Sequence, residues 1–235
     1  MMDVGRVAAL WRYPVKSMAG ESLEEIEVCW HGFAGDRRWA FVRAGLERSG
    51  FPWMTIRERS NMAHYRPSFV DPSRPDASRT VVRTPAGDEL EVIDPALAAE
   101  LGEGVRAIKQ NRGVFDAMPL SLVSTQSIAA LGGRVGSKLD PLRFRPNLLI
   151  EAAGDEPFQE EAWLGSVLQV GGMRMRIDQQ DERCVIVNVD PVTTERDAAV
   201  LRTIAQERAT CMGVYGSTVA PGRVAVGDAV WLERP

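Results

Sequence analysis

The chain sets one thiol beside one guanidinium at Arg183-Cys184, between a polar run, Asp178-Gln179-Gln180-Asp181-Glu182, and an apolar run, Val185-Ile186-Val187-Asn188-Val189. The apolar run reads as a buried strand, Cys184 to Val189, that stops at Asp190-Pro191. That places the sulfur at a strand mouth, with Arg183 as the cation able to hold it as thiolate. A thiolate is the reactive form of cysteine and a soft metal ligand. Basic residues recur beside turns. Lys16 lies in Tyr13-Pro14-Val15-Lys16-Ser17, and Arg37 follows Gly35-Asp36. Arg57 lies in Met54-Thr55-Ile56-Arg57-Glu58, and Arg145 between Phe144 and Pro146. Loops hold functional groups on a rigid frame. Several converging cations bind a phosphate, arginine with a bidentate fork and lysine as a point charge. Taken singly, each basic residue also reads as a solvated surface charge or a structural ion pair. Cys184 alone also reads as an inert core thiol.

Other chemistry is poorly represented. His31 and His64 are not spaced as zinc ligands with any cysteine pair. The nucleophile elbow, the P-loop and the dinucleotide fingerprint are all missing from the sequence. Cys29 and Cys211 read as core residues, and three cysteines make no disulfide framework. A reducing, cytoplasmic location is expected. A net charge of −4 gives no reason to expect nucleic acid or a membrane surface as partner. No apolar stretch reaches spanning length, and the first twelve residues lack a signal-peptide core.

The positioning elements are mostly strands. With 235 residues, 45% of them hydrophobic and 26% charged, the chain can bury a sizeable core as one large or two small units. Short β-type runs fall at Val7–Trp11, Ile26–Val28, Trp39–Val42, Leu148–Ile150, Val167–Val170, Met173–Ile177 and Ala229–Leu232. Thr80–Thr84 and Leu90–Ile93 flank the turn cluster Pro85-Ala86-Gly87-Asp88 and predict a hairpin. Three short helices are expected: Pro95–Leu101 ending at Gly102, Ser127–Leu131 ending at Gly132-Gly133, and Glu195–Glu207 capped by Thr194. The strand pattern breaks near Gly102–Gly113, where a boundary would fall. The expected class is mixed α/β, mostly β: a β-barrel core with a few helices packed outside.

The order of the motifs carries a resemblance. Tyr13-Pro14-Val15-Lys16-Ser17 is followed by Gly35-Asp36-Arg37-Arg38-Trp39, then Asp116 to Ser127, Arg143-Phe144-Arg145-Pro146-Asn147 and Trp163-Leu164-Gly165. Arg183-Cys184 with Asp190-Pro191, Gly213-Val214-Tyr215 and Gly222 to Asp228 complete the series. This resembles the MOSC family, named for the C-terminal domain of molybdenum cofactor sulfurase. The resemblance implies an N-terminal MOSC-type β-barrel domain over 1–105 and a MOSC domain, a pyruvate-kinase-barrel-like fold, over 106–235. It implies the molybdenum cofactor, a pterin whose dithiolene holds the metal, with Cys184 as protein ligand. Lys16, Ser17, Arg37 and Arg145 would meet the phosphate, and Arg57 and Arg183 would add further cationic contacts. Asn147 and Asp116 would meet the pterin. Similarity to amidoxime-reducing members implies an oxidoreductase for N-hydroxylated small molecules, fed by a separate flavin or iron–sulfur protein. The alternative is a sulfur-carrier or cofactor-handling protein with a persulfide on Cys184. The chain departs from relatives at Asp181, where many have cysteine, and at Ala117 and Met118, where some have hydroxyls.

Overall fold

Buried and exposed side chains alternate along Met2–Arg12 and Met173–Glu182, so each strand turns one face inward. These two are the long staves of an eight-stranded sheet in the computed structural model, which describes residues 1–233. The order is Leu148–Ala152, Leu120–Ser124, Cys211–Ala220, Met173–Glu182, Val167–Val170, Ala229–Glu233, Met2–Arg12 and Glu21–Leu23. Met2–Arg12 also pairs with Leu148–Ala152, from Gly5 opposite Ala152 to Leu10 opposite Leu148, and so closes a barrel. The pairing of Leu120–Ser124 with Leu148–Ala152 is parallel, and the helix Thr125–Val135 makes the crossover. Leu10, Leu122, Leu148, Ile150, Leu168, Met175, Ile177 and Val214 fill the barrel.

The N-terminal half adds smaller sheets. Trp39–Val42 pairs with Arg106–Lys109, and Arg66–Phe69, Thr80–Arg83 and Glu89–Glu91 form a meander. They enclose a second core of Val15, Phe41, Met62, Val82, Leu97 and Leu101. A third cluster, with Leu131, Phe144, Val187, Ile204 and Met212, packs the helices Thr125–Val135 and Ala198–Arg208 onto the barrel.

The expected mostly-β class, barrel and hairpin are present, with Val82 opposite Leu90 across the turn. Several element assignments need correction. Val185–Asn188 is a 3₁₀ turn, not a strand. Ile186 and Val189, three apart, face the N-terminal core, while Val187 enters the helix cluster. A short apolar run is consistent with either structure, and here packing on two sides selects the turn. The strand instead precedes Cys184 and continues through the polar run to Glu182. The second helix does not stop at Gly132-Gly133 but continues to Gly136, which caps it at φ 82°. Gly132 is there for a close approach, since a Cβ would lie 2.7 Å from the Ser137 carbonyl oxygen. The third helix starts at Ala198 under the Asp197 carboxylate, which accepts from Ala199 N at 2.9 Å, so Thr194 is not the cap. The stretch 102–113 contains the strand Arg106–Lys109.

Candidate functional site

Local backbone geometry aims the basic side chains. Ser17, Arg37 and Arg145 have φ of 64°, 49° and 51°, left-handed values that cost a non-glycine residue roughly 1 kcal/mol or more. Arg145 caps the 3₁₀ turn Pro141–Phe144 in that conformation, and Lys16 follows a residue bridged to Trp39. Cys184 begins the 3₁₀ turn that leaves the barrel strand.

All of the sequence-predicted site residues line one cavity of about 120 Å³: Lys16, Ser17, Arg37, Arg57, Asp116, Arg145, Asn147, Arg183 and Cys184. The half-buried Cys184 accepts a hydrogen bond on Sγ from Arg57 Nη2 at 3.1 Å, and Arg57 stacks 4.8 Å over the Phe51 ring. The guanidinium at the sulfur is therefore that of Arg57, not that of adjacent Arg183. Arg183 turns inward instead. Its Nε donates to Met212 O at 2.7 Å, its Nη1 to Phe144 O at 2.8 Å, and its Nη2 lies 2.8 Å from Asp181 Oδ2. Gly213 makes room for it, since a Cβ there would lie 3.2 Å from Arg183 Nη2.

Lys16 Nζ donates to Asp116 Oδ1 at 2.6 Å and to Val114 O at 3.2 Å. Arg37 pairs with buried Asp36 and donates to Arg145 O at 3.1 Å. Arg37 and Arg145 face the Tyr13 ring at 4.6 and 4.3 Å. Arg145 Nη1 donates to Met18 O at 2.8 Å, while its buried Nη2 meets no acceptor. Asn147 works as a strut. Its Nδ2 donates to Trp11 O and Asp36 Oδ2, and its Oδ1 accepts from Ser121 N, each at 3.2 Å.

Burial shapes the charges. It pushes Lys16 down, more than Asp116 restores. Burial would raise the Asp116 carboxyl, but Lys16, Arg57 and Arg37 outweigh it and hold it low. Desolvation brings Arg145 to about 10 and lifts buried Asp181 to about 6. Tyr215 is also raised, by burial first and then by Asp181.

Lys16, Arg37, Arg57, Arg143, Arg145 and Arg183 line the cavity against Asp116, Asp181 and Glu182, an excess of positive charge, and Arg145 Nη2 is buried without an acceptor. An anionic ligand supplies what Arg145 Nη2 lacks, and a soft metal suits the sulfur. The donor set therefore fits a phosphate-bearing metal cofactor. The sequence reading left out Asp36, Ser121 and Tyr215 as parts of this wall and Phe51 beneath Arg57. Asp36 was visible beside Arg37, but nothing local marks Phe51.

The MOSC domain pattern matches residues 109–231, and that of the MOSC N-terminal beta barrel domain matches residues 4–111. Mitochondrial amidoxime-reducing component 1 of Mus musculus is 24% identical over 297 residues, covering 99% of this chain and 83% of that protein. The Homo sapiens counterpart is 24% identical over 298 residues, with 99% and 84% covered. The crystal structure of the YuaD protein from Bacillus subtilis superposes with a TM-score of 0.55 at 12% identity, covering 97% of this chain and 95% of that one. That likeness is one of fold.

Proposed function

The chain belongs to the MOSC family, and from that premise we propose that it is a molybdenum-cofactor-dependent oxidoreductase reducing N-hydroxylated small molecules. The observation that carries this reading is the gathering of Cys184 and the cations Lys16, Arg37, Arg57 and Arg145 around one cavity. Cys184 Sγ is the metal ligand. Lys16, Ser17, Arg37 and Arg145 hold the phosphate, with the free Nη2 of Arg145 donating to it. Arg57 donates to the sulfur and fixes its position in the cavity. Arg183, Asp181 and Asn147 act behind them by fixing the wall. Bound there, the cofactor would supply the two electrons that reduction of a hydroxylamine needs. The products are an amine and water, so two protons are consumed. Asp116, 43% exposed and bonded to Lys16 Nζ, stays ionised and is the acceptor offered to a pterin amine. The electrons come from a separate flavin or iron–sulfur protein. Three free cysteines suit a reducing compartment such as the cytoplasm.

Production in a host that makes the cofactor should yield one molybdenum per chain and reduction of 6-hydroxylaminopurine with an artificial reductant. Metal-free, inactive protein from such a host refutes the reading. The reachable sulfur of Cys184 also favours a sulfur-carrier reading. Intact mass spectrometry separates the two, because a labile gain of one sulfur without stoichiometric molybdenum belongs to the carrier alone.

A further inference from the structure

Arg143, Arg145 and Ile186 line the small cavity and also a second, larger groove of about 890 Å³. That volume suits a small-molecule ligand, for which pockets run about 300–1,000 Å³. One wall of the groove is the meander of the N-terminal half, where Arg66 stands directly opposite Arg83. Like charges facing each other across strands are destabilising. Nearby acids do not neutralise the two arginines. Glu91 pairs with Arg79, and Glu21 with Arg12. Glu89 stands in register with Arg83, yet among the described residues neither Arg66 nor Arg83 forms an ion pair. Of the other cations, Arg143 is bound by Asp190, while Arg145 keeps its orphaned Nη2. The groove thus presents Arg66 and Arg83, both without an ion pair, against one carboxylate left free among the described residues, Glu89, since its other carboxylate, Glu21, is taken by Arg12.

We propose that this groove holds the non-reacting part of the substrate, and that Arg66 and Arg83 clasp an anionic group on it, a phosphate or a carboxylate. The proposal rests on the reductase reading for the word substrate, but the anion site stands on its own geometry. The cofactor's phosphate is not the intended occupant, because Lys16, Arg37 and Arg145 already serve it. The preferred substrate is therefore an anionic N-hydroxylated compound, with its N–O group reaching past Arg145 toward Cys184. Two exposed arginines acting as a fork should favour an anion about tenfold over its neutral counterpart, the scale of one charge-assisted contact. Screening should shrink that preference as salt rises.

Two measurements on the holoenzyme test it. Calorimetry compares adenosine 5′-monophosphate with adenosine, and steady-state kinetics compares 6-hydroxylaminopurine with its riboside 5′-monophosphate by kcat/KM. The expected result is a preference for the phosphate in both, erased in the R66Q/R83Q double variant and largely kept in R66K/R83K. Equal binding of nucleotide and nucleoside by the natural protein overturns the proposal. So does a preference that survives in R66Q/R83Q, or a loss of molybdenum from that variant, which would give the arginines to the cofactor. Nucleotide preference with no reduction of either base supports the anion site and refutes the reductase reading instead.

Discussion

Replacing Asp181 with asparagine should change how stability depends on pH. Asp181 is 1% exposed, accepts from Ser121 Oγ at 3.2 Å and lies 2.8 Å from Arg183. Burial lifts its carboxyl from 3.8 to about 6, because Arg183, Ser121, Tyr215 and Arg37 recover only part of the desolvation. Below the unfolded value both states are protonated and the site carries no penalty. As pH rises past 3.8 the unfolded chain releases a proton that the folded chain still holds, so stability falls. The fall ends once the folded carboxyl ionises above about 6. At about 1.36 kcal/mol per pH unit, the gap amounts to roughly 3 kcal/mol. Asparagine keeps an oxygen for Ser121 but does not titrate. It also leaves Arg183 without a carboxylate, a cost that shifts the whole curve and does not depend on pH. Groups common to both proteins cancel in the difference. Urea unfolding of metal-free protein from about pH 4 to about pH 7 should show D181N gaining roughly 2.4 kcal/mol on the natural protein, because the unfolded carboxyl is already part-ionised at the lower limit. A difference flat to within about 0.5 kcal/mol across that range would mean that Asp181 is already ionised in the fold, and the reasoning fails.

Other outcomes follow from the same geometry. Lys16→Met strips the ammonium from Asp116, and the protein should retain molybdenum at least about tenfold less tightly on dialysis. Two neighbouring glycines should respond in opposite directions. Gly133→Ala meets no atom within 4 Å and should stabilise the helix by about 0.5–1 kcal/mol, whereas Gly132→Ala runs into the Ser137 carbonyl and should destabilise the protein in thermal unfolding.

Much of the architecture was legible because neighbours encode it. The alternation in Met173–Ile177, the turn cluster at Pro85–Asp88 and the Gly102 stop are local signals, and each element formed where its pattern lay. The misreadings share one cause. The run Val185–Val189 has no periodicity to separate strand from 3₁₀ turn, and two packed cores made the choice. Gly132-Gly133 resembles a helix stop unless the approach of Ser137 is known.

Motif order pointed to residues that line one cavity, but their partnerships were not legible in it. Sequence adjacency offered Arg183 to Cys184, yet the cation that reaches the sulfur lies 127 positions away. Arg183 turns instead to Met212, Phe144 and Asp181. Nor could composition show that Ser17, Arg37 and Arg145 take left-handed backbone, since that strain persists only because surrounding packing imposes it. Local patterns set which side chains are on offer and most of the segments that become strands, though not the run after Cys184. Closure of the barrel by Met2–Arg12 against Leu148–Ala152 decided which of them meet. The physical reason is range: periodicity and turn chemistry act over a few residues, while a binding cavity is made by contacts that exist only once distant segments have packed.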